Sequence, residues 1–170
     1  MKSITFDGGV APLMKKFGTS LNSLSFSYID IDLGVIIEHC PNVSLLDLFN
    51  CTFKTVIENE QPSVDDPLSN TIPPILENLT SLCVSCNKEE SLSCIPSVNL
   101  ASLLSSPVLV KLNILQCDSL TDEHLLDAAN LHCFHNLEKL DLVGCDNVSK
   151  KGIDVYEFKQ SPERDPFGTL

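Results

Sequence analysis

The chain has no tryptophan, few glycines (7 in 170 residues) and few basic side chains (11 Lys+Arg). Against 23 Asp+Glu, that basic shortage leaves a formal net charge of -12. Nucleic-acid binding relies on Lys and Arg to displace counterions from phosphates, and anionic membrane surfaces attract the same residues, so neither partner is expected. The pairs Lys15-Lys16 and Lys150-Lys151 are too short to reverse this and read as solvated faces. Long apolar runs are also missing. Nothing approaches the roughly 18 residues of a membrane span, and the opening MKSITFDGGVAPLMKKFG holds no apolar core of a signal peptide. The expected setting is the reducing cytoplasm or nucleus. The eight cysteines are then expected as thiols, and the glycosylation-type triplets at Asn42, Asn50, Asn78 and Asn147 as unmodified.

Catalytic signatures are absent as well. There is no phosphate-cradling glycine loop, no HExxH and no G-x-S-x-G elbow. The Asp7-Gly8-Gly9 stretch reads as a turn, and the pair Asp65-Asp66 sits in a loop. No catalytic residue and no cofactor is assigned, and the chain is not expected to be an enzyme.

What is present is repetition. LEKLDLVGC at 137–145 and LVKLNILQC at 109–117 share apolar residues at places one, four and six and cysteine at place nine. VSLLDLFNC at 43–51 and LTSLCVSCN at 79–87 extend the series, and LNSLSFSYI at 21–29 is a looser copy. The five starts lie 22, 36, 30 and 28 residues apart, around the usual leucine-rich spacing of about 20–29. The longest interval contains ENEQPSVDDPLSNTIPP at 58–74, whose acids and prolines read as a surface loop. A Ser-rich excursion, CNKEESLSCIPS, follows the third unit.

The alternating half of each unit predicts a short strand. Segments 31–42 and 120–136 carry apolar residues at helical spacing, with Thr121 and the acids after it suited to a helix start. The expected fold class is therefore α/β: a leucine-rich repeat solenoid, or horseshoe, with short parallel strands on the concave face and helices on the convex face. Its expected organisation is an N-terminal helical segment or partial repeat at 1–20, about five repeats at 21–153 with the insertion at 58–74, and a C-terminal tail at 154–170.

These units resemble the cysteine-containing leucine-rich repeats of F-box proteins, whose pattern is C-x-x-L-x-x-L-x-L-x-x-C, then (T/S)-D and a helix. CPNVSLLDLFNC at 40–51 and LVKLNILQCDSLTDEHL at 109–125 fit it, and LEKLDLVGCDNVSKKGI at 137–153 fits with Ser-Lys in place of Thr-Asp. The resemblance spans roughly 20–153, with poor fit inside 52–78 and 88–105. It implies a module that holds a target protein, with a separate F-box segment docking onto a cullin-type ubiquitin ligase. No such segment is found: the first twenty residues are too few, and tryptophan, common in that motif, is missing. The expectation is a protein-protein interaction module for substrate recognition, with a protein partner on the concave face and cullin-type ligase subunits behind it. The alternative is a leucine-rich scaffold or regulator with no ubiquitin-ligase link.

Cys51, Cys117 and Cys145 at place nine, where the third unit has Asn87, are expected to point inward as small buried residues. Cys40 and Cys133 should be buried too. Cys83 and Cys86 form a C-x-x-C, with His132, Cys133 and His135 as conceivable partners for a metal. Both cysteines read as concave positions of one strand, and the histidines lie two units away, which is too far across a sheet with about 4.8 Å between strands. No metal site is assigned. Places three, five, seven and eight face outward because the side-chain period is two. Asp47, Phe49, Lys111, Asn113, Leu115, Lys139, Asp141 and Val143 are thus the candidate partner-binding residues, with Phe49 and Leu115 as an apolar centre in a polar rim.

Overall fold

In the computed structural model, which describes residues 5–54, 75–87, 95–132 and 134–154, five short strands occupy places three to seven of the five units. They are β1 (Ser23–Ser27), β3 (Leu45–Phe49), β5 (Ser81–Ser85), β6 (Lys111–Leu115) and β7 (Lys139–Val143). All are parallel, and they form one sheet in the order β1-β3-β5-β6-β7, so each unit pairs with the next in sequence. The register aligns like with like: Leu24, Leu46, Leu82, Leu112 and Leu140 lie side by side across the sheet. A second, smaller parallel pair joins β2 (Asp30–Ile31) to β4 (Thr52–Phe53). The chain is thus a mixed α/β protein with a five-stranded parallel sheet and, among the described residues, no closed barrel.

Backbone bonds outside the strands repeat at every junction. The carbonyl at place two of one unit accepts two N–H groups of the next: Asn22 from Ser44 and Leu45, Ser44 from Thr80 and Ser81, Thr80 from Val110 and Lys111, Val110 from Glu138 and Lys139. At the other end of the strands the place-eight N–H donates to the next unit's place-seven carbonyl. Tyr28 bonds Phe49 at 3.0 Å, Asn50 bonds Ser85 at 2.7 Å, Cys86 bonds Leu115 at 3.0 Å and Gln116 bonds Val143 at 2.7 Å. Place eight also turns the chain out of the strand. Tyr28, Asn50, Gln116 and Gly144 have φ of 55°, 47°, 56° and 69°, the left-handed region that glycine enters without steric cost.

Asparagine side chains add a third ladder, at the place before the first apolar residue of the second, third and fifth units. Asn42 Nδ2 donates to the Thr19 carbonyl at 2.6 Å, Asn78 to Pro41 at 3.0 Å and Asn136 to Pro107 at 3.2 Å. Asn147 does the same to Asp118 at 2.6 Å, beyond β7. Three of the four glycosylation-type asparagines therefore use the amide nitrogen as a unit-to-unit donor.

The second halves of the units supply helices. α1 (Ala11–Phe17) follows a wide helical turn at Phe6–Val10, so the Asp7-Gly8-Gly9 stretch is helical rather than a simple turn; Thr5 caps it by accepting from Gly8 N at 3.2 Å. α2 (Leu33–His39) starts at Asp32, whose carboxylate accepts from Val35 N. α4 (Asp122–His132) falls inside the expected 120–136. α3 (Ser97–Leu104) lies where the sequence suggested a poor fit; Leu100, Leu103 and Leu104 form its buried face. Helices pack in pairs, α1 with α2 and α3 with α4. Gly18 sits where α1 meets α2, and any side chain there would run into the His39 carbonyl.

One core joins the helices to the inward row of the strands. Leu46, Leu82, Leu112 and Ile114 are fully buried together with Ile36, Leu100 and Leu120. The equivalent Leu140 and Leu142 of β7 are only partly buried, because β7 ends the sheet and no later described strand covers them. The expected loop at 58–74, the stretch at 88–94, Cys133 and the tail from 155 lie outside the described residues.

A last junction is electrostatic. The Asp122 carboxylate, at the start of α4, accepts from Ser149 N at 2.8 Å and from Ser149 Oγ at 2.6 Å in the following unit. The Ser149 side chain, then its backbone, holds the Asp122 carboxyl below its ordinary value. A lowered native value means that the stabilisation is complete above the unfolded carboxylate range near about 4 and is lost as pH falls through the native value. Asp122→Asn is expected to lower the melting temperature slightly at neutral pH and to converge with wild type in acid, so that the acid limb of a melting-temperature-versus-pH series flattens. In the core, Leu112→Ala should cost about 2–5 kcal/mol in urea unfolding, since the side chain is wholly enclosed.

Candidate functional site

The sheet face opposite the core carries three rows of side chains. Place three gives Ser23, Leu45, Ser81, Lys111 and Lys139; place five gives Ser25, Asp47, Cys83, Asn113 and Asp141; place seven gives Ser27, Phe49, Ser85, Leu115 and Val143. In-register parallel pairing produces these rows, because side chains of the same place are brought into line across neighbouring strands. All eight sequence-predicted partner-binding residues therefore fall on one face. Phe49 is 44% exposed and Val143 57%, whereas Leu115 is partly buried rather than fully open. Asp47, Asn113 and Asp141 are half-buried, and Lys111 and Lys139 are exposed.

The place-seven row forms the rim of a trough of about 390 Å³, floored by Ser85 and walled by Phe49 and Leu115, with Val143 beyond. Asn50, Asn87 and Gln116 complete its lining. Tyr28, 73% exposed, packs edge-on against Phe49 with ring centroids 5.4 Å apart. Tyr28 belongs to the loosest repeat copy and was not singled out from sequence. Its signal was its place: eight, next to the strand end. In the middle row Asn113 Oδ1 is buried and has no hydrogen-bond partner among the described residues.

The cysteines divide by place. Cys51 Sγ donates to the Phe49 carbonyl at 3.6 Å and Cys145 Sγ to the Ile114 carbonyl at 3.4 Å, so place nine turns inward as its pattern implied. Burial pushes the Cys40 and Cys51 thiols up, in Cys51 against backbone hydrogen bonds. Cys86, expected on the outward face beside Cys83, is instead buried: no left-handed turn follows Ser85, so the strand's alternation carries on and puts Cys86 on the side of Leu82 and Val84. There it hydrogen-bonds Cys117 and, with backbone groups of Leu120 and Ser119, lowers that thiol to about 7 against the effect of burial. The C-x-x-C is thus split between the two sides of the sheet. His135 lies after α4, on the far side of β6 from β5, and among the described residues no three His, Cys, Asp or Glu side chains converge as metal ligands would.

Cys83 alone among the described cysteines is not fully buried. Burial raises its thiol first, and the carboxylates of Asp47 and Asp141 raise it further, partly offset by Lys139. Thiolate is the reactive form, so native-state labelling by a maleimide should be slow at neutral pH. Asp47→Asn is expected to speed that labelling severalfold, read by intact-mass spectrometry against time; an unchanged rate would show that the carboxylate field does not reach the thiol.

No family model matches the chain, and no curated protein matches it in sequence. None of the helices among the described residues is long and apolar enough to cross a membrane.

Proposed function

We propose that the chain is a protein-protein interaction module, a leucine-rich repeat solenoid whose concave face is the open face of the five-stranded sheet. The observation that carries this reading is the apolar rim of Phe49, Leu115 and Val143, set above half-buried Asp47, Asn113 and Asp141 and exposed Lys111 and Lys139. Parallel sheets are as a rule covered on both faces. A sheet face that no other described element covers, with aromatic and aliphatic side chains at its edge and charge around them, has the anatomy of a binding patch. The strand-per-unit order and the three ladders support the solenoid, since each unit is satisfied by its neighbours alone.

Its role, on this reading, is substrate recognition related to F-box ubiquitin-ligase adaptors, in the cytoplasm or nucleus, with no catalysis by the chain itself. That link rests on the cysteine-containing repeat pattern at 40–51, 109–125 and 137–153. Affinity purification with mass spectrometry tests both halves. Cullin-type ligase subunits among the recovered proteins would support the adaptor role, and stable partners without them would make the chain a scaffold or regulator of another kind. The double variant Phe49→Ser, Leu115→Ser should reduce recovery of the direct partner tenfold or more, because buried anchors at the centre of a patch contribute roughly 2 kcal/mol or more each. Unchanged recovery from a variant with wild-type circular dichroism would sink the face.

A further inference from the structure

We infer that the occupant of this face is an extended, basic peptide segment of a partner protein, which places one bulky apolar side chain over Ser85 and a Lys or Arg, two residues away, over Cys83. This rests on the proposed binding face and specifies its ligand.

The argument begins with the gap in the rim. Along place seven, Ser85 stands between Phe49 and Leu115. Adjacent strands lie about 4.8 Å apart, so the two walls are roughly 10 Å from each other across a small floor. A single apolar side chain fills such a notch, and Ser85 has no bulk to oppose it.

The next row supplies the sign of the charge. Two residues along β5, about 6.6 Å away, lies Cys83, flanked through the register by Asp47 on one side and Asn113 and Asp141 on the other. Both carboxylates act on the Cys83 thiol, each more strongly than Lys139 opposes them, so the middle of this row is a place of negative potential. The unpartnered Asn113 Oδ1 adds an acceptor beside it. A side chain that carries several N–H donors and a positive charge answers both observations, and an acidic or purely apolar one answers neither.

An extended peptide matches the spacing without adjustment. Its same-side residues recur at about 6.6 Å, the distance between the sheet's own rows. The third row, where Lys111 stands beside Lys139, then faces the residue two further along, and an Asp or Glu there completes the pattern. The net charge of -12 steers a basic segment toward the chain from a distance.

Selection of a displayed random-peptide library on the full chain tests this. Peptides enriched on wild type are expected to share an apolar residue and a Lys or Arg two places from it. Their binding should fall at least tenfold on Asp47→Asn, Asp141→Asn, two exchanges outside the core, and to background on Phe49→Ser, Leu115→Ser, with circular dichroism confirming that each variant folds. Enriched peptides that need Phe49 and Leu115 but carry no base, or that ignore the loss of the two carboxylates, overturn the charge pattern and leave the face standing. Enrichment indifferent to Phe49 and Leu115 overturns the face itself. Failure to enrich any sequence overturns the linear-peptide occupant.

Discussion

A parallel strand cannot satisfy its own edge, and that constraint organises the molecule. Each strand presents N–H and C=O groups that must be met by a neighbour running in the same direction. The chain meets them with the next unit every time, from β1 through to β7. Place-two carbonyls accepting two N–H groups and place-eight amides donating forward lock both ends of each strand. The leucines at place four then have no choice of side: once the register is set, Leu46, Leu82 and Leu112 must all enter the core or all leave it.

The same alternation that buries the leucines exports every second side chain. Function and stability are thereby assigned to different letters of one short stretch. In LVKLNILQC, Leu109, Leu112, Ile114 and Cys117 hold the core, while Lys111, Asn113 and Leu115 face outward. Substitutions of the exposed Lys111 and Lys139 at place three alter the charge of the face without touching packing, whereas the half-buried side chains of place five also pack in part against their neighbours. Place seven is intermediate, because Leu115 and Phe49 rest partly on their neighbours.

The strands were legible because the signal is redundant: five copies of the alternation reinforce one another, and all eight candidate residues came together on one face for that reason alone. Other features left weaker traces. α3 was hidden by the serines around Leu100, Leu103 and Leu104, residues that a buried helix face tolerates and a pattern search discounts. Cys86 was misplaced because the period of two, carried one step past Ser85, puts its side chain with Leu82 and Val84 rather than with Cys83. The asparagine ladder was legible only in part, as isolated triplets at Asn42, Asn78 and Asn147, since a side chain that bonds the preceding unit has no local signature. Tyr28, Asn50 and Gln116 adopt left-handed backbone without being glycine, a position that the sequence marks only where Gly144 stands.

A left-handed residue at place eight closes four of the five strands, and an asparagine before place one opens the second, third and fifth units. Between these two fixed points the length of chain varies, with unit starts 22, 36, 30 and 28 residues apart, yet Leu24, Leu46, Leu82, Leu112 and Leu140 stay in line. Loop length enters closure only logarithmically. The sheet is therefore blind to what is spliced in behind it. Segments on that side are free to lengthen, shorten or diversify over generations while the row that meets a partner keeps its spacing to within a strand width.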